Sequence, residues 1–414
     1  MNRTSVNKII VIVAAILVLG AIGVGVYFGL QGAKQAAIPG QPSGGGGLPI
    51  SSGGAVNGSG TGSGQLGQSS PSDSGAAAIA SQNQKNNLFQ LTTNPAVAFW
   101  VASSTPSASG IIHASVYYLN AKGDVVQIQD VGKEQIIASS PFGMPLQLWQ
   151  NKDGSRIVAL FDSGVYALFT LTTKAWQALP ENVESVAFSP DGTKLAYLLE
   201  SAGRSTLYTR TLASARTTGT LVTSLALVDA TIAWPSPSRV FILSKPSAQI
   251  DGEAWYFDMT AKTLNYFGHG YGLQLVFDYV KPYSVIQLVS SQGGQSVQAS
   301  LLDQDGKQIG DSLHLLTVAD KCVFSSDGAR IFCALPRENN KNTPVVFPDD
   351  YLKNAVYFHD ALFEISAKNF SSITPVINTS DIALDMVFLR STPTQLFFMN
   401  RIDRTLYLYN LSGL

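Results

Sequence analysis

Three patterns of apolar and polar positions succeed one another along the chain. Ile9 to Leu30 is an unbroken apolar run, IIVIVAAILVLGAIGVGVYFGL, without charge or proline. About 20 such residues span a bilayer as a helix, because in hydrocarbon a helix satisfies its own backbone hydrogen bonds. Residues 31–86 then turn to Gly, Ser, Gln, Ala and Pro, as in GQPSGGGGLPISSGGAVNGSG. A segment with so little to bury cannot offset the entropy of ordering. It predicts a flexible tether with an r.m.s. span of roughly 40 Å for a Gly/Ser-type chain of this length. From Asn87 onward, short runs alternate polar and apolar positions, as in SVYYLNAKGDVVQIQ, and are separated by turn residues. That is the period-two pattern of half-buried strands, and long helical periodicity is absent.

Arg3 and Lys8 precede the apolar run, and only Lys34 follows it closely. The positive-inside rule therefore puts the N-terminus in the cytoplasm. A cleaved leader is the competing reading, with Ala33, Ala36 and Ala37 as small residues near a cleavage point. Its apolar core would be about 7 to 15 residues, shorter than this one. The expected organisation is a cytoplasmic N-terminus (1–8), a transmembrane helix (9–30), a disordered linker (31–86) and a folded all-β domain (87–414).

Within the folded part a unit recurs. Phe188-Ser189-Pro190-Asp191-Gly192 leads into Lys194-Leu195-Ala196-Tyr197, and Phe324-Ser325-Ser326-Asp327-Gly328 into Arg330-Ile331-Phe332-Cys333. Each is an apolar strand ending in an aromatic residue, an Asp-Gly turn and a returning apolar strand. A looser copy runs from Trp149 to Leu160, with Asn151-Lys152-Asp153-Gly154 read as a turn one residue longer. Degenerate copies centre on Trp100, Trp234, Tyr279 and Phe388. The spacing of roughly 40 to 50 residues is that of a four-stranded propeller blade. Seven units predict a seven-bladed β-propeller. The last has room for three strands, so NLFQLTT, Asn87 to Thr93, is expected to supply its fourth and close the ring, removing exposed sheet edges.

FSPDGTKLAYL and FSSDGARIFCAL resemble the WD40-like repeat of TolB-type β-propellers, in which this turn joins the first two strands of a blade. The WD40 Gly-His and Trp-Asp signatures are absent. The resemblance implies the fold. It implies action through protein partners only by analogy, because propellers host many functions.

Composition narrows the function. Charged residues make up 13% of the chain and the net charge is −1, so there is no basic field for nucleic acid. There is no Gly-x-Ser-x-Gly elbow, no phosphate loop and no spaced pair among the four histidines. No catalytic residue, metal site or cofactor is assigned. Asp303-x-Asp305-Gly306 resembles the start of a calcium loop, but the closing Glu is missing and a hairpin turn is expected.

The longest interval between units is Pro336 to Asp360, PRENNKNTPVVFPDDYLKNAVYFHD, between the second and third strands of blade six. It reads as a recognition loop or as a cover packed on the rim. Its candidate binding residues are Asp349, Asp350, Tyr351, His359 and Asp360. Asp349 is expected to cap a short helix. The two cysteines, Cys322 and Cys333, lie on the two strands of one hairpin. If Ser325 pairs with Arg330, they face each other at roughly 4.5 to 5.5 Å between Cα atoms, within disulfide reach. The leading functional expectation is a membrane-anchored, extracytoplasmic, noncatalytic protein-binding or scaffold module of the cell envelope. The alternative is a small-ligand sensor or enzyme with its site at the central channel, marked by clustered titratable groups.

Overall fold

A computed structural model describes residues 87–102, 107–213, 219–280, 283–337, 345–377 and 382–411. The expected transmembrane span and the linker lie outside these residues. The described chain forms seven antiparallel sheets of four strands each. The first strands are Ala98–Ala102, Pro145–Gln150, Val183–Phe188, Ala230–Ser236, Gln274–Phe277, Cys322–Phe324 and Met386–Ser391. At most junctions the first strands of successive sheets touch one another and so form the inner ring of a propeller. In most blades the fourth strand is largely exposed.

The alternation serves both faces of each sheet. Trp100 packs with Ile157, Ala159 and Phe169 of blade two, and Trp234 with Ala196, Leu198 and Leu207 of blade three. Each blade thus buries side chains against both neighbours, and burial between blades holds the ring together.

Closure follows the expected route. Leu88–Gln90 pairs with Leu406–Asn410 as the fourth strand of blade seven, with Leu88 opposite Tyr409 and Gln90 opposite Tyr407. Beyond the strand, the Leu91 N–H donates to the Leu406 carbonyl at 2.7 Å, and the Leu406 N–H to Thr92 Oγ1 at 3.0 Å. The two ends of the domain therefore share one sheet.

The recurring turn has a physical cause. In blade three the Ser189 hydroxyl accepts the Lys194 N–H at 2.9 Å and donates to Asp191 at 2.6 Å, and Asp191 accepts the Thr193 N–H. The hydrogen bond from Ser189 holds the Asp191 carboxyl below its ordinary pKa. Blade six repeats this with Ser325, Asp327 and Arg330. Two readings need correction. The blade-two turn is not longer: Asn151 N–H to Arg156 O spans the same interval as Ser189 to Lys194, so Gln150, not Trp149, takes the aromatic's place. In blade five, Asp278 N–H to Ser284 O puts Phe277 at the anchor, and Tyr279 lies out on the turn. The Asp303-Gly306 segment is a hairpin turn, with Gly306 N–H donating to Asp303 O at 3.0 Å.

Cys322 lies directly opposite Cys333, with Cα atoms 4.2 Å apart and the sulfurs at bonding distance. Protein purified without reductant and then denatured is expected to take up no alkylating reagent, and two equivalents after reduction; two equivalents before reduction would reject the bond. For closure, removing residues 1–86 should leave the domain's denaturant midpoint unchanged. Removing residues 1–95 should cost several kcal/mol, since a buried strand is lost and an edge opens. Equal midpoints for the two truncations would rule out the role given to Leu88–Gln90.

Candidate functional site

Strand direction places the connections between blades and the loops between second and third strands on one face, here called upper. The blade-six interval belongs to it: its flanking strands are Arg330–Pro336 and Asp360–Ser366. Its described part, 345–359, folds over the upper loops of neighbouring blades. Phe347 donates its N–H to Gly294 O of blade five at 2.9 Å. Gly294 has φ +72, and a Cβ there would meet the Phe347 backbone at 2.6 Å, so only glycine allows this approach. Helix α1, Asp349–Leu352, follows.

Asp349 does not cap this helix. Pro348 is the N-cap, without a side-chain cap bond, because Asp349 is already the first helical residue. Its carboxylate instead accepts the Ala248 N–H at 2.6 Å and the Ser247 hydroxyl at 3.3 Å, both from the upper loop of blade four. Asp350 accepts the Val346 N–H at 2.9 Å and fixes the turn before the helix. His359 is exposed. Tyr351 and Asp360 are buried and face a network of charges.

At its centre is Lys321, 1% exposed, on a short 3-10 turn before the first strand of blade six. Its ammonium donates to Asp360 and, at 2.6 Å, to Asp385 Oδ1. Asp385 immediately precedes the first strand of blade seven and also accepts the Tyr351 hydroxyl at 3.0 Å and the Phe358 N–H at 3.2 Å. Arg401, from the upper loop of blade seven, reaches Asp385 Oδ2 at 3.4 Å. It also donates to Tyr351 O and Asn354 Oδ1, each at 2.6 Å, and to Val356 O at 2.9 Å. Its guanidinium lies 3.9 Å from the Tyr351 ring centroid, and the Lys321 ammonium 4.8 Å from the same centroid. Two cations and two carboxylates thus balance. Burial pushes Asp360 up to about 6, Lys321 opposes that rise, and the charge of Asp385 adds to it. Burial, with the Asp385 charge, pushes the Tyr351 phenol far up.

Asp349, Asp350, His359 and Asp360 therefore do not converge: three serve separate internal contacts and the fourth is exposed. Among the described residues no group of three or more His, Cys, Asp or Glu is arranged to hold a metal. The sequence reading missed Lys321, Asp385 and Arg401. A signal was present for two of them: Lys321 and Asp385 each stand one residue before a first strand, in adjacent blades and with opposite charge.

A second cluster lies on inner elements. Arg390 is on the first strand of blade seven, Tyr279 follows that of blade five and Asp320 precedes that of blade six. Tyr279 is 49% exposed and Asp320 is exposed, yet burial pushes both pKa values up and that of Arg390 down. Arg390 opposes the rise in both partners, so the three groups share one field.

No protein-family model and no curated protein matches this chain. Solved structures do. TolB from Acinetobacter baumannii is 11% identical over 81% of this chain and 68% of that one, with a TM-score of 0.41. The C-terminal WD40 domain of Sif2 is 14% identical over 78% and 98%, with a TM-score of 0.48. Oligogalacturonate lyase in complex with manganese is 12% identical over 72% and 83%, with a TM-score of 0.47. These are likenesses of fold, and the seven-bladed architecture stands on this chain's own strand order.

Arg401→Ala removes the clasp on residues 351–356 and uncovers Asp385. It should cost roughly 2 to 4 kcal/mol in denaturant unfolding and speed amide exchange across 347–358 more than elsewhere. Unchanged exchange in that segment would show that the clasp does not hold it.

Proposed function

We propose that this chain is a noncatalytic protein-binding module, held outside the cytoplasm by the apolar segment Ile9–Leu30 and presenting the upper face of its propeller. The observation that supports this most directly is the outer surface of the blade-six cover. Beneath it most of the polar groups are engaged internally, Asp349, Asp350, Lys321 and Arg401 among them. On it, Leu352 (45% exposed), Tyr357 (54%) and Ile402 (46%) flank the Arg401 clasp, with Arg401 4.8 Å from the Tyr357 ring centroid. Exposed aromatic and aliphatic side chains beside an arginine, on a support already satisfied, are what protein interfaces use as anchors. Asn87 begins an outer strand on the side opposite these loops, which leaves the cover free to meet a partner beyond the membrane. The likeness of its repeats to TolB-type units agrees with a partner-binding role by analogy of fold.

The shared field of Arg390, Tyr279 and Asp320 favours a second reading, a small anionic ligand held by Arg390. Asp320 beside it works against anion binding, and no nucleophile–base pair accompanies it, so the protein-binding reading is preferred.

Proximity labelling with the full-length chain in its native host tests the proposal. The wild type should label a defined set of envelope proteins from outside the cytoplasmic membrane. A Leu352→Ser, Tyr357→Ala, Ile402→Ser variant should fold normally and lose the leading partner by tenfold or more. Identical labelling by the variant, or labelling confined to cytoplasmic proteins, would overturn it.

A further inference from the structure

Lys321 meets two carboxylates whose surroundings differ. Asp385 accepts at both oxygens from four donors: Lys321, the Tyr351 hydroxyl, the Phe358 N–H and Arg401. Those are the surroundings of a carboxylate that acts as base and acceptor. Asp360 is different. Its Oδ2 accepts the Lys321 ammonium and, at 2.8 Å, the Met386 N–H. Its Oδ1 is buried and has no hydrogen-bond partner. Burial and the neighbouring charge both favour its neutral acid form. All three side chains have at most 1% of their surface exposed. The rings of Tyr351 and Phe358 lie 4.8 and 5.4 Å from the ammonium, so little water reaches it. An amine held against a carboxyl that burial pushes toward its neutral acid form, against the pull of Lys321, with a second carboxylate in contact and water excluded, is arranged for condensation.

We propose that Lys321 and Asp360 condense without an external catalyst to form an internal isopeptide bond. Asp385 takes a proton from the ammonium, and the freed lone pair of Nζ attacks Cγ of the neutral Asp360 acid. Oδ2 becomes the tetrahedral oxyanion, and the Met386 N–H stabilises it as an oxyanion-hole donor does. The bond from Cγ to Oδ1 breaks, and because Oδ1 has no hydrogen bond, none is lost as it leaves. Of the protons on the ammonium and the acid, one stays on the amide nitrogen, two depart with Oδ1 as water and one remains with Asp385. No oxidant, reductant or co-reactant is needed. The bond joins the connection before blade six to the start of that blade's third strand, at the foot of the cover.

The full-length protein tests this without any variant. After reduction and trypsin digestion, the wild type should give a branched peptide in which residues 308–330, uncut after Lys321, are joined to residues 354–368. Its mass should be the sum of the two segments less one water. Asp385→Asn keeps the shape but removes the base, and should yield mostly separate linear peptides. Linear peptides from the wild type, cut after Lys321 and of unmodified mass, would overturn the proposal. A branched peptide in the wild type with undiminished joining in Asp385→Asn would overturn the part given to Asp385.

Discussion

Before any bond between Lys321 and Asp360 forms, the upper rim of this propeller depends on a buried ammonium. Lys321 has no water to solvate it, so its charge must be met by Asp360 and Asp385 or the fold bears the cost of an isolated ion. The carboxylates face the same demand, and two of them exceed what one lysine can neutralise. Arg401 supplies the missing positive charge. To do so it must lie over Tyr351, and there it also holds the backbone of the cover at Tyr351 and Val356. The position of the cover is thus a consequence of charge balance beneath it. Such networks add little net stability over a well-packed apolar core, but removing one member is costly. Their effect here is to admit one arrangement of blade six, blade seven and the cover between them.

The ring beneath is held by a different constraint. Seven sheets must each bury both faces, and the chain must close so that no sheet edge is left open. The shared sheet of blade seven achieves this with strands from opposite ends of the domain. The Ser-x-Asp-Gly turns make the joint between blades compact. Gly328 has φ +70, and a Cβ there would meet the Asp278 carboxylate of blade five at 2.6 Å. The same contact desolvates Asp278, whose pKa burial pushes up to about 6, with Asp327 adding to the rise.

What could be read from the sequence follows from the range of each interaction. The blades were legible because a turn and its flanking strands are local: Phe188 to Tyr197 contains its own hydrogen bonds. Closure was legible by counting strands, and the facing of Cys322 and Cys333 by counting from Ser325 and Arg330. The anchors slipped where the turn residue changed. Asn151 and Asp278 stand where Ser189 does, so the aromatic residues nearby, Trp149 and Tyr279, drew the register one or two residues away. The role of Asp349 was misread because a cap is judged from neighbours in sequence, whereas its partners, Ser247 and Ala248, lie a hundred residues earlier.

The charge network was beyond local reading for the same reason, yet it is written in the repeat. Aligning blades by their first strands brings Lys321 and Asp385 to the same position, in adjacent blades whose connections meet on one rim. In a repeat protein a departure at an equivalent position is informative because the default is set by the other copies. Here the same position holds Val97, Met144, Asn182, Asp229 and Leu273 in blades one to five, so the lysine of blade six is the departure. Asp229 stays exposed and pairs with Lys245 of its own blade, whereas Lys321 and Asp385 are buried and must meet across the blade junction. The longest interval in the repeat begins within that pair of blades, and it carries Tyr351 and Asp360 into contact with both. The insertion and the two buried charges are therefore one feature: the charges specify where the cover sits, and the cover excludes the water that would otherwise screen them.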